Sequence, residues 1–283
     1  AWSTLAASAV KVSGTSFTAL LTGLKAATAY QYRVSVDGTA GEEQSFTTAE
    51  AVPLTNGGFD DWSSVPAGKN TLWQPWAEGG TSFWDTGNKG ATTVGNSNST
   101  PTTETSTGSG QAASLESKYI VLKFAAGNIF TGTYVRTDGT NGVLQFGRPF
   151  TSFPSKLRIH YKYNCVPINK SGDDDFKYLV GRPDSCQVYI ALTDWDAPLE
   201  IRTRPSERQL FEPSDPKVIA YGELTKGESV TTWTQADIVL DYRYTNRTPK
   251  YIVVVASASK YGDYFTGGEG SKLWLDECEL IYD

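Results

Sequence analysis

The chain has 283 residues, 39% of them apolar and 20% charged, with a formal charge of −6 and an isoelectric point near 5.0, which leaves room for one or two cores. That balance repels phosphate backbones and anionic lipid, both held chiefly by clustered Lys and Arg, so nucleic acid and membrane surfaces are poor partners. No apolar run approaches the roughly 18 residues of a membrane helix, and three cysteines without a CxxC pair plus one histidine supply neither a thiolate zinc set nor a histidine pair.

Twenty-seven glycines, 15 tyrosines and eight tryptophans suit strands and turns better than helices. In chain order, Ser16 to Leu21 is a first short strand. Tyr30, Tyr32, Val34 and Val36 then alternate with Gln31, Arg33 and Ser35, Asp37-Gly38 gives a hairpin turn, and Gln44 to Thr48 returns. The run from Leu24 through Thr28 to Tyr30-Gln31-Tyr32-Arg33-Val34 resembles the closing strands of a fibronectin type III domain. That fold uses about a hundred residues. Residues 1–50 are therefore expected to be the C-terminal part of a fibronectin type III or immunoglobulin-like sandwich, completed by a partner domain or protein. Glu50-Ala51-Val52-Pro53-Leu54 reads as a linker, since a Pro after small residues ends pairing.

A second domain, 51–283, opens at Asn56-Gly57-Gly58-Phe59-Asp60-Asp61-Trp62. The Thr-, Ser-, Gly- and Asn-rich stretch from Thr86 to Ser114 has little apolar surface to bury and is expected to be a long exposed loop. Strands follow at Lys118–Phe124, Asn128–Tyr134, Gly142–Gly147, Lys156–Tyr163, Cys186–Asp194, Lys217–Tyr221, Asp237–Tyr244, Tyr251–Ala258 and Lys272–Tyr282, with no helical period of useful length between them. So many antiparallel strands limit their exposed edges best as a two-sheet jelly roll. The fold class is thus all-β: a partial immunoglobulin-like sandwich followed by a large jelly-roll β-sandwich. Tyr251 to Ala256 is apolar on both parities, as a central strand requires. His160 falls on the polar parity of its strand. Cys165 and Cys186 lie in or beside neighbouring strands, either as a disulfide closing about twenty residues or as two buried thiols. Asp173-Asp174-Asp175, flanked by Lys170 and Lys177, reads as a solvated loop rather than a calcium site.

Four stretches carry a wider likeness: Thr137 to Leu144 with Phe146-Gly147-Arg148-Pro149-Phe150; Tyr189 to Trp195; Val254 to Gly268; and Leu273-Trp274-Leu275-Asp276-Glu277. Together they resemble the bacterial putative carbohydrate metabolism domain family, found in surface proteins of gut bacteria, commonly behind an immunoglobulin-like module. The resemblance implies a jelly roll, a carbohydrate ligand, and an extracellular or outer-membrane-surface location reached through an N-terminal lipoprotein signal. It carries no catalytic residues over. The two ends of the domain also resemble those of jelly-roll carbohydrate-binding modules whose first and last strands share a structural calcium, which would fall to Asp60 and Asp276 here.

A glycan site pairs aromatic rings, on which flat sugar faces stack, with short polar side chains for the hydroxyls. On the strand Cys186–Asp194, Val188, Ile190 and Leu192 form the core parity, and Tyr189, Ala191 and Thr193 share the other. Small Ala191 and Thr193 would leave a groove between Tyr189 and Trp195, with Asp194 and Asp196 beside it. Tyr261 and Asp263, in a loop after the central strand, and Trp73, Trp76 and Trp84 complete the candidates. The expected function is non-catalytic binding of an oligo- or polysaccharide. The alternatives are a glycoside hydrolase using strand-spaced carboxylates, Glu277 with Glu279 or Asp194 with Asp196, and a structural or adhesin-like surface protein whose aromatics meet protein.

Overall fold

A computed structural model describes residues 2–6, 10–19, 21, 23–121 and 123–282. In its first fifty residues Val10–Ser13 pairs with Ser16–Ala19, and Ala29–Tyr32 with Gln44–Thr47. Ser35–Val36 pairs with Thr39–Ala40 around Asp37 and Gly38, whose φ values of 49° and 81° are those a tight hairpin turn demands. The strand expected over Ser16–Leu21 ends at Ala19, and Leu20 lies outside the described residues. These are two-stranded ribbons without an interior: of the described residues up to Pro53, none is buried. Burial begins at Leu54, just after Val52 exchanges two hydrogen bonds with Tyr282 Oη, at 3.1 and 2.7 Å.

From there two sheets form. The strands that build them are β1 (Ser99–Thr102), β2 (Ala112–Glu116), β3 (Asn128–Asp138), β4 (Asn141–Phe146), β5 (Lys156–Asn164), β6 (Cys186–Thr193), β7 (Leu199–Arg202), β8 (Val218–Lys226), β9 (Val230–Val239), β10 (Tyr251–Ser257) and β11 (Lys272–Ile281). The smaller sheet runs β1-β2-β11-β5-β9. The larger runs β7-β4-β3-β10-β6-β8 and ends on the short strand Asp241–Tyr242. Every pairing is antiparallel, and the fold is the jelly-roll sandwich. Alternation does the building: Leu157, Ile159, Tyr161 and Tyr163 of β5 face Val188, Ile190 and Leu192 of β6 and Ile252 and Val254 of β10 across one core. Where β5 meets β11 the register slips at Glu277, which sits at φ 46°. Gly57 lies against that bulge, accepting from the Cys278 N–H at 2.8 Å, and a Cβ there would stand 2.2 Å from the Cys278 carbonyl oxygen. No helix among the described residues is long and apolar enough to cross a membrane.

The larger sheet is covered on its outer face as well. Phe130, Tyr134, Leu144, Phe146, Tyr189, Ala191, Val253 and Val255 form a second cluster there with Trp195 and Ile201. Central β10 thus contributes Ile252, Val254 and Ala256 to one core and Val253 and Val255 to the other.

The stretch 86–114 departs from the exposed loop expected of it. It contains a helical turn, Asn88–Ala91, and the strands β1 and β2, with Thr86, Asn88, Thr92, Ser97, Asn98 and Ser99 buried. Its polar side chains are what make burial possible. Asn88 Nδ2 donates to the carbonyls of Trp73 and Ser99 at 2.9 and 2.6 Å, while its Oδ1 accepts from the N–H groups of Asn98 and Ser99 at 3.1 and 3.0 Å. The expected strand Lys118–Phe124 is a hairpin of Lys118–Ile120 with Lys123–Ala125, and Leu122 lies outside the described residues.

Candidate functional site

A cavity of about 490 Å³ opens on the outer face of the larger sheet. Its floor is made by residues of alternate parity on four strands: Phe130 and Tyr134 of β3, Leu144 and Phe146 of β4, Tyr189 of β6 and Val255 of β10. The hairpin 118–125 brings Ile120, Lys123 and Phe124 to one wall, and the segment after β10 brings Lys260, Asp263 and Phe265 to another. Apolar rings with a few polar groups around them suit a sugar better than a highly charged small molecule.

The wall after β10 is held by one buried carboxylate. Asp184, fully buried, accepts from Ser259 Oγ at 2.6 Å, from the Gly268 N–H at 2.7 Å and from the Ser185 N–H at 2.8 Å. The Lys260 N–H adds a bond to the Ser185 carbonyl at 2.8 Å. Both ends of the segment 259–268 are thereby pinned, and within it Phe265 adopts the left-handed conformation at φ 53°.

Asp263 faces the water of the cavity, yet protein surrounds it. That enclosure pushes its carboxyl up to about 6, against the pull of the Arg208 guanidinium. It is the single carboxylate among the described residues that line the cavity. Tyr189 lies deeper, and its phenol is raised well above its ordinary range by burial and then by the nearby Asp263. On the opposite side Tyr134 Oη is 2.8 Å from Thr137 Oγ1, a hydroxyl pair at the cavity edge.

Of the side chains singled out in the sequence, Tyr189 and Asp263 line the cavity. The groove expected between Tyr189 and Trp195 is filled. The Phe211 ring stacks on Tyr189 at 5.1 Å and meets Trp195 edge-on at 6.1 Å, and Trp195 is buried with its indole N–H donating to Asp215 at 3.2 Å. Small Ala191 and Thr193 left room, and a residue distant in sequence took it. Asp194 pairs with Arg247 at 2.5 Å, and exposed Asp196 is held near 2 by hydrogen bonds from Lys217 and Lys250. Tyr261 turns away to Phe176, ring centres 5.2 Å apart. Trp84 is a core residue, fully buried, with its indole N–H on the Thr55 carbonyl at 2.8 Å. Trp73 and Trp76 are half-buried on and beside the hairpin of Ser63–Ala67 with Asn70–Gln74. Asp173 caps a 3-10 helix and pairs with Arg208 at 2.6 Å rather than sitting in a solvated loop. Sequence reasoning passed over Lys123, Phe124 and Phe130, because nothing in their local pattern marks them and only the sheet topology brings them together.

Asp60 and Asp276 lie at the two ends of the domain. Asp60 Oδ1 accepts from the Gln111 N–H at 2.8 Å. Asp276 accepts from the Ser106 N–H and hydroxyl at 2.7 and 2.8 Å and from the Glu277 N–H at 2.9 Å. Glu277 joins them: its carboxyl is raised by burial and then by Asp276 and Asp60. Among the described residues no group of three His, Cys, Asp or Glu side chains is arranged to hold a metal ion.

The family described as "Putative carbohydrate metabolism domain" matches residues 58–281. Two solved structures share the fold. One, from Bacteroides vulgatus ATCC 8482 and described as a putative glycoside hydrolase, is 22% identical with a TM-score of 0.60, covering 79% of this chain and 96% of its own. The other, from Bacteroides thetaiotaomicron VPI-5482 and described in the same words, is 18% identical with a TM-score of 0.60, covering 90% of this chain and 79% of its own. No curated protein matches the chain.

Proposed function

The chain belongs to the putative carbohydrate metabolism domain family, and from that premise we propose that it is a non-catalytic glycan-binding module whose ligand sits in the cavity on the larger sheet. One observation carries the reading: an aromatic-floored cavity lined, among the described residues, by a single carboxylate. Both common geometries of glycoside hydrolysis need two carboxyl groups, about 5 to 9.5 Å apart. Among the described residues on the lining, Asp263 has no second acid to serve as nucleophile or base. Asp194 and Asp196 are taken up by cations elsewhere. A lone acid can instead accept a sugar hydroxyl while Phe265 or Tyr189 meets a C–H face.

Hydrolysis is the rival, since two proteins of the same fold bear that description. An adhesin-like structural role is the other. The proposal includes an extracellular or outer-membrane-surface location for the protein. It includes a partner for the N-terminal ribbons, whose described side chains all remain exposed or half-buried and which resemble half of a fibronectin type III sandwich. A glycan array followed by calorimetry tests it, with Asp263→Ala as the variant. Loss of affinity without release of new reducing ends is expected. Retained affinity removes the cavity as the site, sugar release replaces binding by hydrolysis, and an empty array favours the structural role.

A further inference from the structure

Among the described residues that line the cavity, one cation has no carboxylate within ion-pair reach. Lys123 Nζ donates to Thr140 Oγ1 at 3.2 Å and to Asn141 Oδ1 at 2.5 Å, and it stands 3.5 Å from the centre of the Phe265 ring. All three partners are neutral. Among the described residues no Asp or Glu comes within the 4.0 Å of an ion pair. The surrounding cations are each matched: Lys260 by Glu223 at 3.1 Å, Arg208 by Asp173 at 2.6 Å, Arg204 by Asp138 at 3.5 Å. Burial, then Arg208 and Arg204, lower the Lys123 pKa. Nε and Nη2 of Arg208 are buried and lack an acceptor, which adds to the surplus of donors on this side.

Lys123 is also placed at a junction. A second hollow lies beside the first, lined by Tyr119, Asn169 and Lys170, and the two share Lys123, Phe124, Thr140 and Phe265 as their common wall. A half-buried cation with only neutral partners is relieved by an anion, and a ligand running from one hollow to the other must pass it. Asp263 opposes such a ligand only in part, because Arg208 offsets its charge.

Resting on the glycan reading above, we infer that the site selects carboxylated glycans. A uronic acid unit sets its carboxylate on Lys123 where the two hollows meet, and neighbouring sugar units extend into each hollow. Binding of uronate oligosaccharides and of their carboxyl-reduced counterparts, measured by calorimetry on the full chain, tests this. The uronate member of a pair should bind at least about tenfold more tightly, with the preference shrinking as salt is added. Lys123→Arg should keep the preference, and Lys123→Gln, checked for an unchanged melting temperature, should abolish it. Equal binding of both members overturns the inference and leaves the glycan reading standing, whereas binding of no member overturns both. A preference that survives in folded Lys123→Gln removes Lys123 as the anchor. Should that variant not fold, the matched pairs on the wild-type protein decide.

Discussion

Replacing Asp184 with alanine should loosen the wall of the cavity and destabilise the whole domain. The carboxylate is fully buried and satisfies three donors: Ser259 Oγ, Gly268 N–H and Ser185 N–H. Each buried donor left without a partner costs about 1–3 kcal/mol. Burial of the charge itself is unfavourable and raises the Asp184 carboxyl despite those bonds, which offsets part of the sum. The net loss should be roughly 3 kcal/mol, read as a fall in the urea midpoint at unchanged slope. Ser259→Ala removes one donor of the three and should cost only about 1 kcal/mol. The pH dependence has a definite sign. With its folded pKa above its unfolded one, Asp184 contributes most below the unfolded pKa and loses that contribution as pH rises through the folded pKa. The deficit of Asp184→Ala should therefore be larger in acid than in neutral buffer. A loss under about 1 kcal/mol, or a deficit that grows with pH, would refute the account of how this wall is held.

Asp263→Asn should melt above the wild type at pH values over about 6, by roughly 1 kcal/mol once the water reaching the carboxylate is allowed for, and the two should converge below about 4. A gap that persists in acid excludes ionisation as its cause. Limited proteolysis should leave a stable fragment beginning near Val52, and cleavage throughout the domain instead would mean the two parts fold as one. We propose that Asp60 and Asp276 share a structural calcium whose remaining oxygens are backbone carbonyls. Melting temperature should then rise between chelator and millimolar calcium, and identical curves would take the ion out of the proposal.

The jelly roll was legible because alternation is local: the parity of Cys186–Thr193 and the two-sided apolarity of Tyr251–Ala256 are written in consecutive residues. Segment 86–114 was not, since composition counts polar side chains as reluctant to be buried, and Asn88 is buried because four backbone groups of three other residues meet it. The candidate site was half legible for a similar reason. Tyr189 and Asp263 carry chemistry in their own neighbourhood. Lys123 becomes distinctive only when Asn141 and Phe265 arrive beside it, and Phe211 closes the groove at Trp195 from a loop that no periodicity connects to that strand.

Because the larger sheet is packed on both faces, the floor of the cavity is also part of a hydrophobic core. Floor and rim then answer to different constraints. On the proposed glycan reading, a change at Phe130 or Tyr189 would alter packing and recognition in one stroke, so most such changes would lose the protein before they could retune its ligand. Lys123 and Asp263 stand on a hairpin and a pinned segment above the floor, where on the same reading a substitution would redirect recognition and leave the sheet intact. Diversification of ligand preference among proteins built this way should run through those two walls, over a floor that drifts slowly.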